Sequence, residues 1–269
     1  MPPTPSILTV ADHAEGLGDA TAVLRANAVS AGLDAPVPTC PGWTVRDLVT
    51  HQGVVHRWAI SVLTGAGFDE AAVEATARAA VDLLDWLDDG LVDLLNVLAR
   101  APEDLQVFFF LKDAPPSRQA WARRQCHETT VHAVDAMAAR LGRPPTPAET
   151  WIRPRLAADG LDELLTGFLP RRTSRVRSER PLRVAVQPTD VERAWLLDIG
   201  PDPVITTRLA PTDPHPDDAR DAEVTVRGTA AALYLNLWNR GSASGDDLEV
   251  YGEATWIATW REQMQVRWS

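Results

Sequence analysis

Glu128 and His132 lie four residues apart in the segment Trp121–Asp135 (WARRQCHETTVHAVD), which has the character of a helix. Each helical step turns the chain by about 100°, so residues at i and i+4 share a face and these two side chains project together. An imidazole nitrogen beside a carboxylate oxygen is half of a divalent-metal site, and a further histidine from another element would complete three protein ligands with coordination positions left open. The upstream segment offers two such histidines, His51 and His56. Being five residues apart they stand about 140° from each other around a helix, so only one of them faces the Glu128/His132 pair. The same spacing separates His127 from His132 and excludes the zinc-protease signature, which needs two histidines at i and i+4.

These residues have to be positioned by helices, and the first half of the chain reads as helical. Apolar positions recur at three and four from Leu8 to Ala31 and stop at Gly32. After Pro41-Gly42-Trp43, Thr44 as N-cap with Asp47 three residues on forms a capping box, which sets His51 about two turns into the second helix. A third helix is predicted from Ala71 to Leu98, with Asp82, Asp85, Asp88 and Asp89 on its solvated face. A fourth is predicted from Arg118 to Leu141, capped by Ser117 and ended by Gly142. Phe108, Phe109 and Phe110 before it read as core residues in preference to the lining of a pocket mouth. Four such helices make a bundle able to carry an inward-facing site.

The second half changes period. A helix from Arg155 to Leu169 precedes alternating segments at 182–187, 194–198, 203–208 and 222–227, which read as strands of an antiparallel or mixed sheet. Helices follow at 230–238, capped by Thr229, and around Trp256, Trp260 and Met264. The fold class is therefore α+β, with domains expected over residues 1–170 and 171–269. The basic run Arg171–Arg180 reads as a solvated interdomain linker. With 269 residues, 45% hydrophobic and 23% charged, the composition is that of a globular protein with a substantial core. A net charge of −11 argues against nucleic-acid partners. The N-terminal Met-Pro-Pro-Thr-Pro lacks signal-peptide features and no apolar run approaches the length of a membrane span, so a cytoplasmic protein is expected. Cys40 and Cys126 are too few for a disulfide framework or a thiolate cage, and Cys126 reads as a small core residue. Any thiol chemistry then needs an outside thiol.

The stretches Val37–His51 (VPTCPGWTVRDLVTH), His127–Ala136 (HETTVHAVDA), Ala157–Glu163 (AADGLDE) and Leu237–Arg240 (LWNR) closely resemble the mycothiol-dependent maleylpyruvate isomerase family of actinobacteria, in order and spacing across nearly the whole chain. The resemblance implies a DinB-like four-helix bundle followed by a smaller C-terminal α/β domain. It implies a divalent metal, usually zinc, on His51, Glu128 and His132, which selects His51 over His56. Mycothiol is implied as cosubstrate, with a small-molecule electrophile as its partner. Arg240 matches an arginine implicated in activity, as a catalytic residue or one that binds thiol or substrate; as a helix-end cation it would equally suit the helix dipole. Asn239 stands where the family has glycine and Ala133 where arginine is common, departures that leave the metal ligands untouched. The chemistry expected is S-transfer or cis–trans isomerisation by a thiolate. The other classes left open are a thiol-independent metal-dependent lyase or hydrolase, and a non-catalytic binding protein. His56 and Asp135 are weak candidates for moving the proton.

Overall fold

The structure is a computed structural model that describes residues 8–111, 114–209, 221–242, 244–253 and 255–264. The chain divides into two compact units, Met1–Pro145 and Thr146–Ser269. The division falls earlier than the 170/171 boundary expected from the change of period.

The first unit contains α1 (Val10–Ala31), α2 (Val45–Thr64), α3 (Glu70–Ala79), α4 (Leu83–Arg100) and α5 (Ser117–Leu141). The four long helices form the bundle, α1 packing on α5, α2 on α4 and α5, and α4 on α1. Its core includes Leu17, Leu24, Leu48, Leu87, Leu94 and Trp121, all fully buried. The capping box at the start of α2 is present, with the Thr44 hydroxyl accepting from the Asp47 amide. The single helix expected over 71–98 is instead two. Asp82 accepts from the amides of Leu84 and Asp85 at 2.8 and 3.2 Å and caps α4. A short aspartate satisfies a helix start better than a helix interior. At α5 the N-cap is Pro116, not Ser117, whose hydroxyl instead bonds the Val107 backbone. Phe108 is 63% exposed, while Phe109 and Phe110 pack on Trp121 and Trp58, so the aromatic run is only partly core. The Phe108 carbonyl accepts from the Trp121 indole at 3.0 Å, a backbone role that leaves its ring outward.

The second unit begins with α6 (Pro154–Asp162), which continues as a π-helical turn over Glu163–Phe168. Strands β1 (Leu182–Pro188), β2 (Ala194–Ile199), β3 (Ile205–Leu209), β4 (Val224–Gly228) and β5 (Glu249–Tyr251) form one mixed sheet in the order β3-β2-β1-β4-β5. Only β1 and β4 pair in parallel; Val184 and Val186 face Val224 and Val226 across that pair and Leu197 and Trp195 across the other, giving a fully buried central row. β5, three residues long, was too short for its alternation to be read from sequence. Helix α7 (Ala230–Leu237) packs on α6, and α8 (Trp256–Gln263) follows. Asp162, at the end of α6, accepts from the Trp195 indole and from Arg208, tying the helix to the sheet. That bonding explains why α6 belongs with the C-terminal unit. The Arg171–Arg180 run lies inside this unit, before β1, and is not an interdomain linker. No helix among the described residues is long and apolar enough to cross a membrane.

Candidate metal centre

Helix α5 buries an unusual set of polar side chains, among them Arg124, Gln125, Glu128, Thr129, His132 and Asp135. Burying polar groups costs hydration, so a helix that buries this many marks a candidate site. Glu128 and His132 share a face as their spacing requires, and His132 Nε2 lies 3.2 Å from Glu128 Oε1. Helix α2 brings His51 Nε2 to 3.4 Å from the same oxygen, and the two imidazole rings meet edge to face at 5.0 Å. One ligand atom from each of His51, Glu128 and His132 lies within 4.8 Å of the others. Glu128 and His132 are buried, whereas the His51 side chain is 25% exposed, so the cluster opens to solvent on the α2 side.

Two nitrogens and one carboxylate oxygen at this separation suit a divalent cation with an open position, so the donor set fits the expected metal. The remaining polar atoms of Glu128 and His132 are occupied elsewhere, which aims their facing atoms inward. Arg124, one turn before Glu128 and itself buried, donates to Oε2 at 3.2 Å and leaves Oε1 toward the histidines. His132 Nδ1 bonds Asp135 Oδ2 at 2.9 Å, leaving Nε2 toward Glu128. The Trp43 ring covers both imidazoles, at 5.1 Å from His51 and 6.1 Å from His132, nearly parallel to the latter.

The electrostatics follow from this packing. Burial disfavours charge on Glu128, but hydrogen bonds from His132 and His51 and the charge of Arg124 outweigh it and hold the carboxyl well below its ordinary range. Burial likewise opposes a charged His132, yet bonds to Asp135 and Glu128 push it up to about 9. Both directions favour a charged His132 beside a charged Glu128 in the metal-free site, and a metal ligand must give up its proton. His56 faces elsewhere, as its spacing from His51 predicts. It is fully buried, its Nε2 lies 3.1 Å from the Thr129 hydroxyl, and burial with the charge of Arg57 lowers its pKa to about 3. It is a neutral core residue, unsuited to proton transfer at neutral pH. Asp135, bonded to His132, serves that ring instead of a reacting group. Arg124 and Trp43 are partners that the spacing did not single out; an arginine four residues before the glutamate was the available signal.

Arg240 lies in the second unit, just after α7. Asn239 adopts a left-handed φ of 61°, a conformation that glycine adopts without strain. Asparagine tolerates this region, and its side-chain amide reaches the carbonyl of Met264 at 2.5 Å. The turn closes the helix, with the Arg240 and Gly241 amides donating to Leu235 O at 2.7 and 2.9 Å. The Arg240 guanidinium donates to Trp238 O at 3.0 Å.

The mycothiol maleylpyruvate isomerase N-terminal domain matches residues 14–137, and the MDMPI C-terminal domain matches residues 155–259. The chain belongs to the mycothiol-dependent maleylpyruvate isomerase family. Among solved structures it is similar to a mycothiol-dependent maleylpyruvate isomerase, with 13% identity and a TM-score of 0.61 over 92% of this chain and 95% of that one. A histidine-to-alanine mutant of a mycothiol-dependent maleylpyruvate isomerase gives a TM-score of 0.60 at the same identity and coverage. These likenesses bear out the α+β fold, a helical N-terminal region with a C-terminal sheet domain. No curated protein matches the sequence.

Proposed function

We propose that this protein is a metal-dependent enzyme using mycothiol, an S-transferase or cis–trans isomerase acting on a small electrophile, with zinc held by His51, Glu128 and His132. The observation that carries this reading is the convergence of three ligand atoms from two helices within 4.8 Å, in a chain that matches both domains of the family. A divalent cation at that position would stabilise the anionic form of an incoming thiol at neutral pH. The chain's own residues prepare the site. Arg124 orients the Glu128 carboxylate, Asp135 orients His132, and Trp43 packs against both rings while the partly exposed His51 side gives access. Addition of the thiol sulfur to a conjugated double bond, rotation about the resulting single bond and elimination give isomerisation; an adduct that persists gives S-transfer. Arg240 is proposed to bind an anionic group of the thiol or substrate.

The test combines metal analysis of the purified protein with turnover of maleylpyruvate and of electrophilic thiol acceptors, with and without mycothiol. His51→Ala and His132→Ala should each lose most of the metal and the activity while keeping helical content, because bundle packing supplies the fold. Full metal occupancy in either variant would remove that residue from the ligand set. Turnover independent of added thiol would replace the reading with a lyase or hydrolase.

A further inference from the structure

We propose that the loop Ala35–Thr44 is the positioning element of the metal centre, gripping His132 by its ring edge through Asp135 and by its ring face through Trp43. This rests on the reading of His51, Glu128 and His132 as metal ligands. The loop is knit by its own backbone. Val37 donates to Trp43 O at 2.9 Å, Cys40 to Val37 O and Trp43 to Cys40 O at 3.0 Å each, and Val45 to Ala35 O at 2.9 Å. Gly42, at φ 87°, makes the reversal that L-residues rarely adopt. The closure presents two consecutive side chains to helix α5. The Thr39 hydroxyl donates to Asp135 Oδ1 at 2.5 Å and the Cys40 thiol donates to Asp135 Oδ2 at 3.3 Å, while His132 Nδ1 meets that second oxygen at 2.9 Å.

Asp135 is fully buried, and these donors hold its oxygens against the loop and His132. A carboxylate accepts, so the hydrogen of the His132–Asp135 bond sits on Nδ1 and the imidazole presents the Nε2 lone pair to the cation. Three residues on, the same loop lays the Trp43 indole at 18° to the His132 ring plane, which restricts rotation of the ring. The tautomer and the orientation of one ligand are thus set from a segment that contributes no ligand. Cys40 acts here as a hydrogen-bond donor to a carboxylate. Thr39, Cys40 and Asp135 are accordingly positioning residues.

The experiment titrates the metal-free full chain with cobalt(II), reading the visible d–d absorption, and obtains zinc affinity by competition with a chelator. Asp135→Asn and the double variant Thr39→Val/Cys40→Ala are compared with wild type and with Cys40→Ser, which keeps a donor. Loss of such supporting groups typically weakens metal binding about 10–100-fold, and that range is expected for Asp135→Asn, with an altered cobalt spectrum. The double variant should lose several-fold and Cys40→Ser should retain most of the wild-type affinity. Wild-type affinity and spectrum in the double variant would overturn the proposal, as would a fall in metal-free melting temperature with affinity unchanged, the mark of a merely structural role. If Asp135→Asn does not fold, the double variant decides. Absence of cobalt binding in the wild type would instead refute the ligand assignment on which this inference rests.

Discussion

Lowering the pH from 7 to 5 should destabilise the protein by about 2 kcal/mol through His56 alone. The imidazole is fully buried, and burial together with the charge of Arg57 depresses its pKa from the ordinary 6.5 to about 3, against the opposing influence of Glu128. Between those two values the unfolded chain binds the proton and the folded chain does not. The contribution is therefore complete above 6.5 and is lost as pH falls, at up to about 1.4 kcal/mol per pH unit. His132 has the opposite sign in the metal-free protein. Its pKa is raised to about 9, so its stabilisation is complete below 6.5 and disappears as pH rises through 9. Over the interval from 7 to 5 it adds only about 1 kcal/mol, and metal loading removes it. Urea unfolding of the full chain, followed by tryptophan fluorescence at pH 7, 6 and 5, isolates the His56 contribution by comparison with His56→Gln, which cannot titrate. The wild type should lose about 2 kcal/mol more than the variant over that interval. Parallel pH profiles would refute the argument, showing that His56 either reaches solvent or is already protonated in the fold.

Gly53→Ala should cost about 1–3 kcal/mol, because a Cβ there would overlap the Trp86 ring, itself covered by the Arg57 guanidinium at 3.8 Å; an unchanged urea midpoint would mean that helices α2 and α4 separate freely. Thr44→Ala removes the side-chain half of the α2 capping box and should lower stability by about 1 kcal/mol, seen as a reduced melting temperature with the metal stoichiometry retained. Arg240→Ala should leave metal content unchanged while weakening use of thiol or substrate in steady-state kinetics; unaltered kinetics would assign the residue to closing the end of α7.

Local signals in the sequence determined much of this protein. The capping box at Thr44 and the change from helical to alternating period were legible because they act within a few residues, as was the shared face of Glu128 and His132. The resemblance of four short segments then named the candidate ligands. What only the tertiary structure decided depends on contacts between distant segments. Periodicity ran through Ala80–Asp82, but the chain turns extended at Ala80 and Asp82 caps the start of a new helix. The helix expected over Arg155–Leu169 fell within the first domain as bounded at residue 170, yet Asp162 binds Trp195 and Arg208 far along the chain and joins it to the sheet. Most of all, no spacing rule could place Thr39 and Cys40 against Asp135 or Trp43 over the two imidazoles, since hydrogen bonds and ring contacts across such sequence separations exist only once α2 and α5 have packed.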